Sequence, residues 1–270
     1  MQIRETEAFI LRTYNLAEAD KIVVCFSKEI GVLRGVAKGA RRLKSKFGAS
    51  LEPYTHVVLT LYEKEGRELL AIRQSEMIKS YFELATDHSA LAVLDYLALL
   101  LIDISPSHEP DEKLFRLLKA CLESVAEMPI WSREIALYFE LWLLKLSGFM
   151  PDTRNCTQCR QSLSQGDCPV AIREGRILCQ SCYHGGKTET WSPRVLKHLD
   201  EAFRLHPLAW SQKHSGVDAT LRQETAFLIN LLMSRCVDIT QVRKKVAQAY
   251  IPLAETQNLG EQTSMLPHKT

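Results

Sequence analysis

The sequence predicts an α+β protein: a small five-stranded β-barrel at the N-terminus, then an α-helical domain carrying a four-cysteine insert. Three observations predict it. Apolar residues recur with a short, strand-like period up to about residue 80, then at spacings of three and four. Four of the eight cysteines fall into two CxxC pairs set between helical stretches. With 270 residues, 46% of them hydrophobic and 24% charged, the chain can bury a sizeable core, and two or three modules are expected.

Residues 8–14, 21–27, 32–37, 56–62 and 69–75 are short runs rich in Val, Ile, Leu and aromatics, several of them alternating apolar with polar as half-buried strands do. Between the last two lies EKEGRE, where Glu65-Gly66 suits a tight hairpin. Five strands match the number in an OB-type barrel, and an SH3-like barrel fits the pattern nearly as well.

After Tyr81 the period becomes helical. Residues 87–103, 111–127 and 131–147 each begin near Asp or Ser and stop near Pro or Gly, the third ending at Gly148 with Pro151 beyond. Tyr138, Phe139 and Trp142 form an aromatic stripe that reads as core. Two further helices are expected at 193–205 and 218–238, and the polar stretch 252–270 reads as a mobile tail. The resulting division is 1–80 for the barrel, 81–150 with 190–250 for the helical domain, 151–189 for the cysteine module and 251–270 for the tail.

The opening MQIRETE is polar and acidic, so no secretory signal is expected and the reading is cytoplasmic. The most apolar run, 90–102, is interrupted by Asp95 and closed by Asp103. It reads as a buried helix and not as a membrane span, which needs about 20 apolar residues.

Net charge is only +2, but it is segregated: +4 over 1–80, −6 over 81–150 and +4 over 151–270. The sharpest concentration is KGARRLKSKFG, where Lys38, Arg41, Arg42, Lys44 and Lys46 stand within nine positions without an acid. Such a run is either a solvated loop or a grip for phosphates; interleaved glycines let backbone approach a polyanion, and Phe47 ends it. Phe47 either stacks on a base or plugs the barrel.

Cys156-x-x-Cys159 and Cys179-x-x-Cys182 are separated by 19 residues, the spacing of a zinc ribbon. Four thiolates close a tetrahedron and leave no position for water or substrate, so the expected zinc is structural. Cys25, Cys121, Cys168 and Cys236 read as buried small hydrophobes or bystanders, and His184 as an unused neighbour.

Catalytic motifs fail on inspection. GGKT at 185–188 has Ser181 where a phosphate-binding loop needs glycine, and that loop would have to contain Cys182. No H-x-E accompanies the cysteines as in zinc deaminases, and no carboxylate cluster suggests a two-metal nuclease. A non-enzyme is expected.

The order of these features, namely KGARRLKSKFG followed by LEPY, a helical middle, LSGFMPD just ahead of CTQC, a second CxxC and SPRVLKHL, resembles the RecO family of bacterial recombinational repair proteins over about residues 1–240. The resemblance implies a non-catalytic mediator. Such proteins bind single- and double-stranded DNA, anneal complementary strands, and work with RecR, sometimes with RecF, to load RecA onto DNA coated by single-strand DNA-binding protein. They also bind the acidic C-terminal tail of that coating protein on the helical domain. It further implies that Lys38, Arg41, Arg42, Lys44 and Lys46 contact DNA, close to the nucleoid. The competing reading is a zinc-ribbon adaptor acting through protein or RNA contacts in transcription or translation.

Overall fold

The computed structural model describes residues 2–63, 69–163, 170–173, 176–185 and 189–234, with 236, 241, 242 and 244. The EKEGRE turn at its centre, Lys187-Thr188 of GGKT, Cys168 and the tail lie outside the described residues.

Strands β1 (Gln2–Leu16), β2 (Asp20–Ser27), β3 (Gly31–Ala37), β4 (Thr55–Glu63) and β5 (Leu70–Ser80) close into a barrel in the order β1-β2-β3-β5-β4. Closure depends on the length of β1: its first half pairs with β4, its second half with β2, and a bulge between Ile10 and Arg12 turns the strand from one to the other. β3 and β5 run parallel, Gly35–Ala37 beside Leu70–Ile72. This topology is that of the OB-type barrel, which decides between the two barrels the strand count allowed. β1 and β5 extend beyond the expected 8–14 and 69–75. Ile3, Arg4, Glu5, Met77, Ile78 and Lys79 are exposed, so these extensions are held by backbone pairing to β4 and leave no apolar periodicity to read.

The two faces of the first strands enter two different cores. Ala8, Ile10, Val23, Cys25 and Leu33 fill the barrel with Val57, Leu59, Leu61 and Ile72. Their neighbours Phe9, Leu11, Val24, Phe26 and Val32 point outward into the core of the helical domain. The join is close. A methyl group on Gly31 (φ +80°) would lie 2.1 Å from the Glu109 carbonyl oxygen, and the His108 N–H donates to the Val32 carbonyl at 3.0 Å.

The helices are α1 (His88–Ile104), α2 (Glu112–Glu127), α3 (Ser132–Leu146), α4 (Pro193–Ala202), α5 (Pro207–Ser215) and α6 (Ala219–Met233). Asp87, Asp111 and Asp218 cap α1, α2 and α6 by accepting first-turn amide N–H groups. Gly148 (φ +75°) ends α3, and the N–H groups of Phe149 and Met150 return to the Leu144 carbonyl. Tyr138 and Phe139 are buried; the Tyr138 hydroxyl donates to the Leu205 carbonyl and the Trp142 indole N–H to that of Ala202, so the stripe is core. Among the described residues, α1 to α6 all contribute to one apolar core.

The region after α3 differs from expectation. Where two helices were expected, α5 adds a third: its inward residues Pro207, Trp210, Ser211 and His214 recur at helical spacing, but a serine and a histidine carry no apolar signal. Between α3 and α4 stands a small antiparallel sheet of β6 (Val170–Arg173), β7 (Arg176–Leu178) and β8 (Glu189–Trp191), in the order β7-β6-β8. Among the described residues no helix is long and apolar enough to cross a membrane.

Candidate nucleic-acid interface and metal centre

The basic segment joins β3 to β4 at one mouth of the barrel and is a built loop. Gly39 (φ +71°) turns it, and the Gly39 N–H donates to the Asp20 carboxylate at 2.8 Å. The Arg41 N–H and guanidinium donate to the carbonyls of Ala19 and Ala17 at 2.9 Å each, fastening the loop to the β1–β2 turn. Phe47 is only 3% exposed and inserts with Leu51 into the barrel core, so it plugs the barrel. A plugged end holds the loop in place.

Lys38, Arg41, Arg42, Lys44 and Lys46 all stand exposed, as does Leu43 at the tip. Among the described residues, none of these five cations pairs with a carboxylate, whereas nearby Lys21 binds Glu52 at 2.8 Å. Lys38 and Lys46 line an open groove of about 860 Å³ with Leu16, Val36, Tyr62, Leu70, Ala71 and Arg73. The Arg73 guanidinium lies 4.8 Å from the centroid of the Tyr62 ring. Sequence reasoning missed Tyr62 and Arg73. The available signal was alternation: both are the outward neighbours of core residues Leu61 and Ile72.

The four cysteines of the two CxxC pairs meet, with all their sulfurs within 4.8 Å of one another. Cys159 and Cys179 sulfurs are 3.6 Å apart, far beyond a disulfide bond and close to the edge of about 3.8 Å expected for a tetrahedron with metal–sulfur bonds of about 2.3 Å. Each knuckle is a tight turn. Arg160 (φ +61°) donates its N–H to the Cys156 carbonyl, Cys182 donates to that of Cys179, and the Cys179 N–H points at the Cys156 sulfur at 3.3 Å. Burial raises the Cys156 thiol, but amide donors from Cys159, Cys179 and Gln158 outweigh it and bring it down to about 6. Cys182 is pushed up to about 12 by its hydrogen bonds to Cys159 and Cys179. Four crowded sulfurs that share protons in this way fit a divalent, thiophilic cation such as zinc.

His184 is exposed and outside the cluster; Cys25 and Cys121 are fully buried, and Cys236 leans on the Leu232 carbonyl. The module is fastened to α4 by Arg154, whose guanidinium binds Asp200 at 2.9 Å, and to the helical core through Cys156, Leu163, Ile177 and Leu178.

Comparison with known proteins bears on the whole arrangement. The family model described as Recombination protein O N terminal matches residues 1–81, and that described as Recombination protein O C terminal matches residues 85–228. The chain belongs to the RecO family. Relatives named DNA repair protein RecO include one from Syntrophotalea carbinolica (strain DSM 2380 / NBRC 103641 / GraBd1), 30% identical over 83% of this chain and 90% of its own length. One from Desulforamulus reducens (strain ATCC BAA-1160 / DSM 100696 / MI-1) is 32% identical over 73% of each chain. A third, from Koribacter versatilis (strain Ellin345), is 34% identical, and the match spans 65% of that relative and 60% of this chain. In this RecO family member the motifs that carried the resemblance occupy turns that shape the fold. KGARRLKSKFG is the barrel-mouth loop, GFMP caps α3, and CTQC forms the first cysteine knuckle.

Proposed function

We propose that this protein is a non-catalytic DNA-binding mediator of recombinational repair, which binds and anneals DNA strands and helps RecR load RecA onto coated single strands. The observation that carries the reading is the set of five exposed cations, Lys38, Arg41, Arg42, Lys44 and Lys46, unneutralised on a fastened loop beside the barrel groove. Cations that neutralise no carboxylate keep their charge for phosphates. Phosphate contacts carry no base information, and annealing requires that indifference. The names of the relatives support a DNA repair role.

In this reading the division into barrel (1–80), helical domain (81–150 with 190–250), cysteine module (151–189) and tail (251–270) is also a division of labour. The barrel grips DNA. One zinc ion held by Cys156, Cys159, Cys179 and Cys182 fixes the module and does no chemistry. The helical domain takes protein partners: RecR, the acidic tail of single-strand DNA-binding protein, and in some settings RecF. The protein works in the cytoplasm at the nucleoid.

Mixing two complementary oligonucleotides with the protein, without any nucleotide cofactor, tests the reading. Pairing should accelerate, and a variant with Arg41, Arg42, Lys44 and Lys46 changed to Ala should lose most of that acceleration. Unaccelerated pairing by the parent would remove the annealing role and favour an adaptor acting through protein contacts.

A further inference from the structure

The strand register assembles a feature that no single stretch of sequence displays. Tyr62 on β4 pairs with Ala71 on β5, Ala71 with Val36 on β3, Val36 with Ile22 on β2, and Ile22 with Tyr14 on β1. Leu61, Ile72, Ala37 and Val23, their neighbours along the strands, face the barrel core, so these five side chains face outward. The result is an unbroken apolar row across all five strands, with a tyrosine at each end and a small residue, Ala71, within it. Strands about 4.8 Å apart make it roughly 19 Å long as measured around the curved barrel wall, a path long enough for several nucleotides.

Charge on either side of the row identifies what it fits. Lys38 and Lys46 line the groove on one side. Exposed Arg73 stands on that same side, because β3 and β5 run parallel and Arg73 follows Ala71 as Lys38 follows Val36, while exposed Arg34, which precedes Val36, stands on the other. Asp20, the acid in the groove, is occupied by the Gly39 N–H. Tyr14 is 50% exposed and Tyr62 half-buried, with its ring already beneath the Arg73 guanidinium. An apolar strip edged by three cations on one side and by one on the other complements a chain with flat apolar bases and an anionic backbone. In a duplex the base faces are covered by their own stacking, so a strip of this kind engages unpaired bases only.

We propose that Tyr14 and Tyr62 are the two ends of a base-stacking platform that makes the barrel face selective for single-stranded nucleic acid, while the neighbouring basic loop grips phosphates of single strands and duplexes alike. This rests on the nucleic-acid reading above and adds to it a division between two adjacent surfaces, one that senses whether bases are paired and one that does not.

The test compares affinities for an oligo-dT single strand and for a mixed-sequence duplex at fixed salt. Tyr14→Ala and Tyr62→Ala should each weaken single-strand binding about fivefold or more, as loss of one stacked base does, and leave duplex binding unchanged. Tyr14→Phe and Tyr62→Phe should retain both affinities, because a phenyl face stacks as a phenol does. A 2-aminopurine base in the single strand should be quenched on binding by the parent and the Phe variants, and less so by the Ala variants. Unchanged single-strand affinity in the Ala variants, or equal loss on both substrates without recovery in the Phe variants, would overturn the platform. The quadruple loop variant keeps the two ideas apart: if it binds both substrates like the parent while the tyrosine variants behave as expected, the loop assignment fails and the platform stands. A parent that binds neither substrate would remove both.

Discussion

Five cations on the barrel-mouth loop differ in what they touch from the basic residues that tie the helical domain together. Arg154 and Arg204 share Asp200, Arg194 binds Asp218, and Lys213 binds Glu201, whereas among the described residues the loop cations have no carboxylate partner. Removing them therefore breaks no ion pair. With Arg41, Arg42, Lys44 and Lys46 changed to Ala, stability should change by less than about 0.5 kcal/mol per site, the internal losses being the Arg41 bond to the Ala17 carbonyl and the Lys46 ammonium 5.1 Å from the Phe47 ring centroid. The effect should appear in salt dependence instead. About four phosphate contacts give a slope of log affinity against log salt near −3 for single strands. The quadruple variant should titrate with a visibly flatter slope, and a slope identical to that of the parent would show the charge to be solvated surface. This loop was legible in the sequence because composition alone marks it. Tyr14, Tyr62 and Arg73 were not, because their significance lies in register, which brings β1, β4 and β5 together from distant parts of the chain.

Among the elements, the cysteine module and the α4–α5 pair make opposite demands on protons. The module should bind one equivalent of zinc, and because structural zinc contributes about 10–16 kcal/mol to a small site, Cys182→Ser should abolish metal binding and loosen residues near the knuckles while the helices persist. Metal analysis in reducing buffer showing less than half an equivalent, with circular dichroism intact, would refute it. On the other side of α4, His198 and His214 meet ring to ring, nitrogens 2.7 Å apart, with Trp210 stacked on His214. Burial lowers both histidines from 6.5, His214 to about 4, where the charges of His198 and Arg222 push it further down. Both are therefore neutral in the folded protein at pH 7, and it is the unfolded chain that takes up protons first. Stability should be full above about 6.5 and fall as the pH drops toward 4. A urea midpoint measured through this window should decline less in His214→Gln than in the parent. The spacing of the cysteines announced the first device. Nothing announced the second, since α5 buries a serine and a histidine where apolar residues mark a helix.

At the scale of the molecule, the barrel and the helical domain are bound by side chains that belong to both. Phe115 of α2 lies 5.1 Å from Phe9 and 6.0 Å from Phe26, ring centre to ring centre, and His56 stacks on Phe9 at 4.2 Å while binding Glu7. Behind them, Tyr54 and Arg12 reach Asp95 on α1. Phe115→Ala should cost about 3–5 kcal/mol and should lower the stability of the barrel as well as of the helices, which spectroscopic probes placed in each would report. Loss confined to the helices would mean that the barrel stands alone. The outward face of β1–β3, with Phe9, Leu11, Val24, Phe26 and Val32, also has a meaning in time. A chain emerging from the ribosome completes all five strands at Ser80, yet the residues that cover this wall come from α1 and α2 and follow only between His88 and Glu127. Until those helices are made, the outward face of the first strands lacks the residues that cover it, and uncovered apolar surface of that kind is prone to association with chaperones or other nascent chains. The order in which the ribosome delivers the segments thus places the cover of this wall after the wall itself.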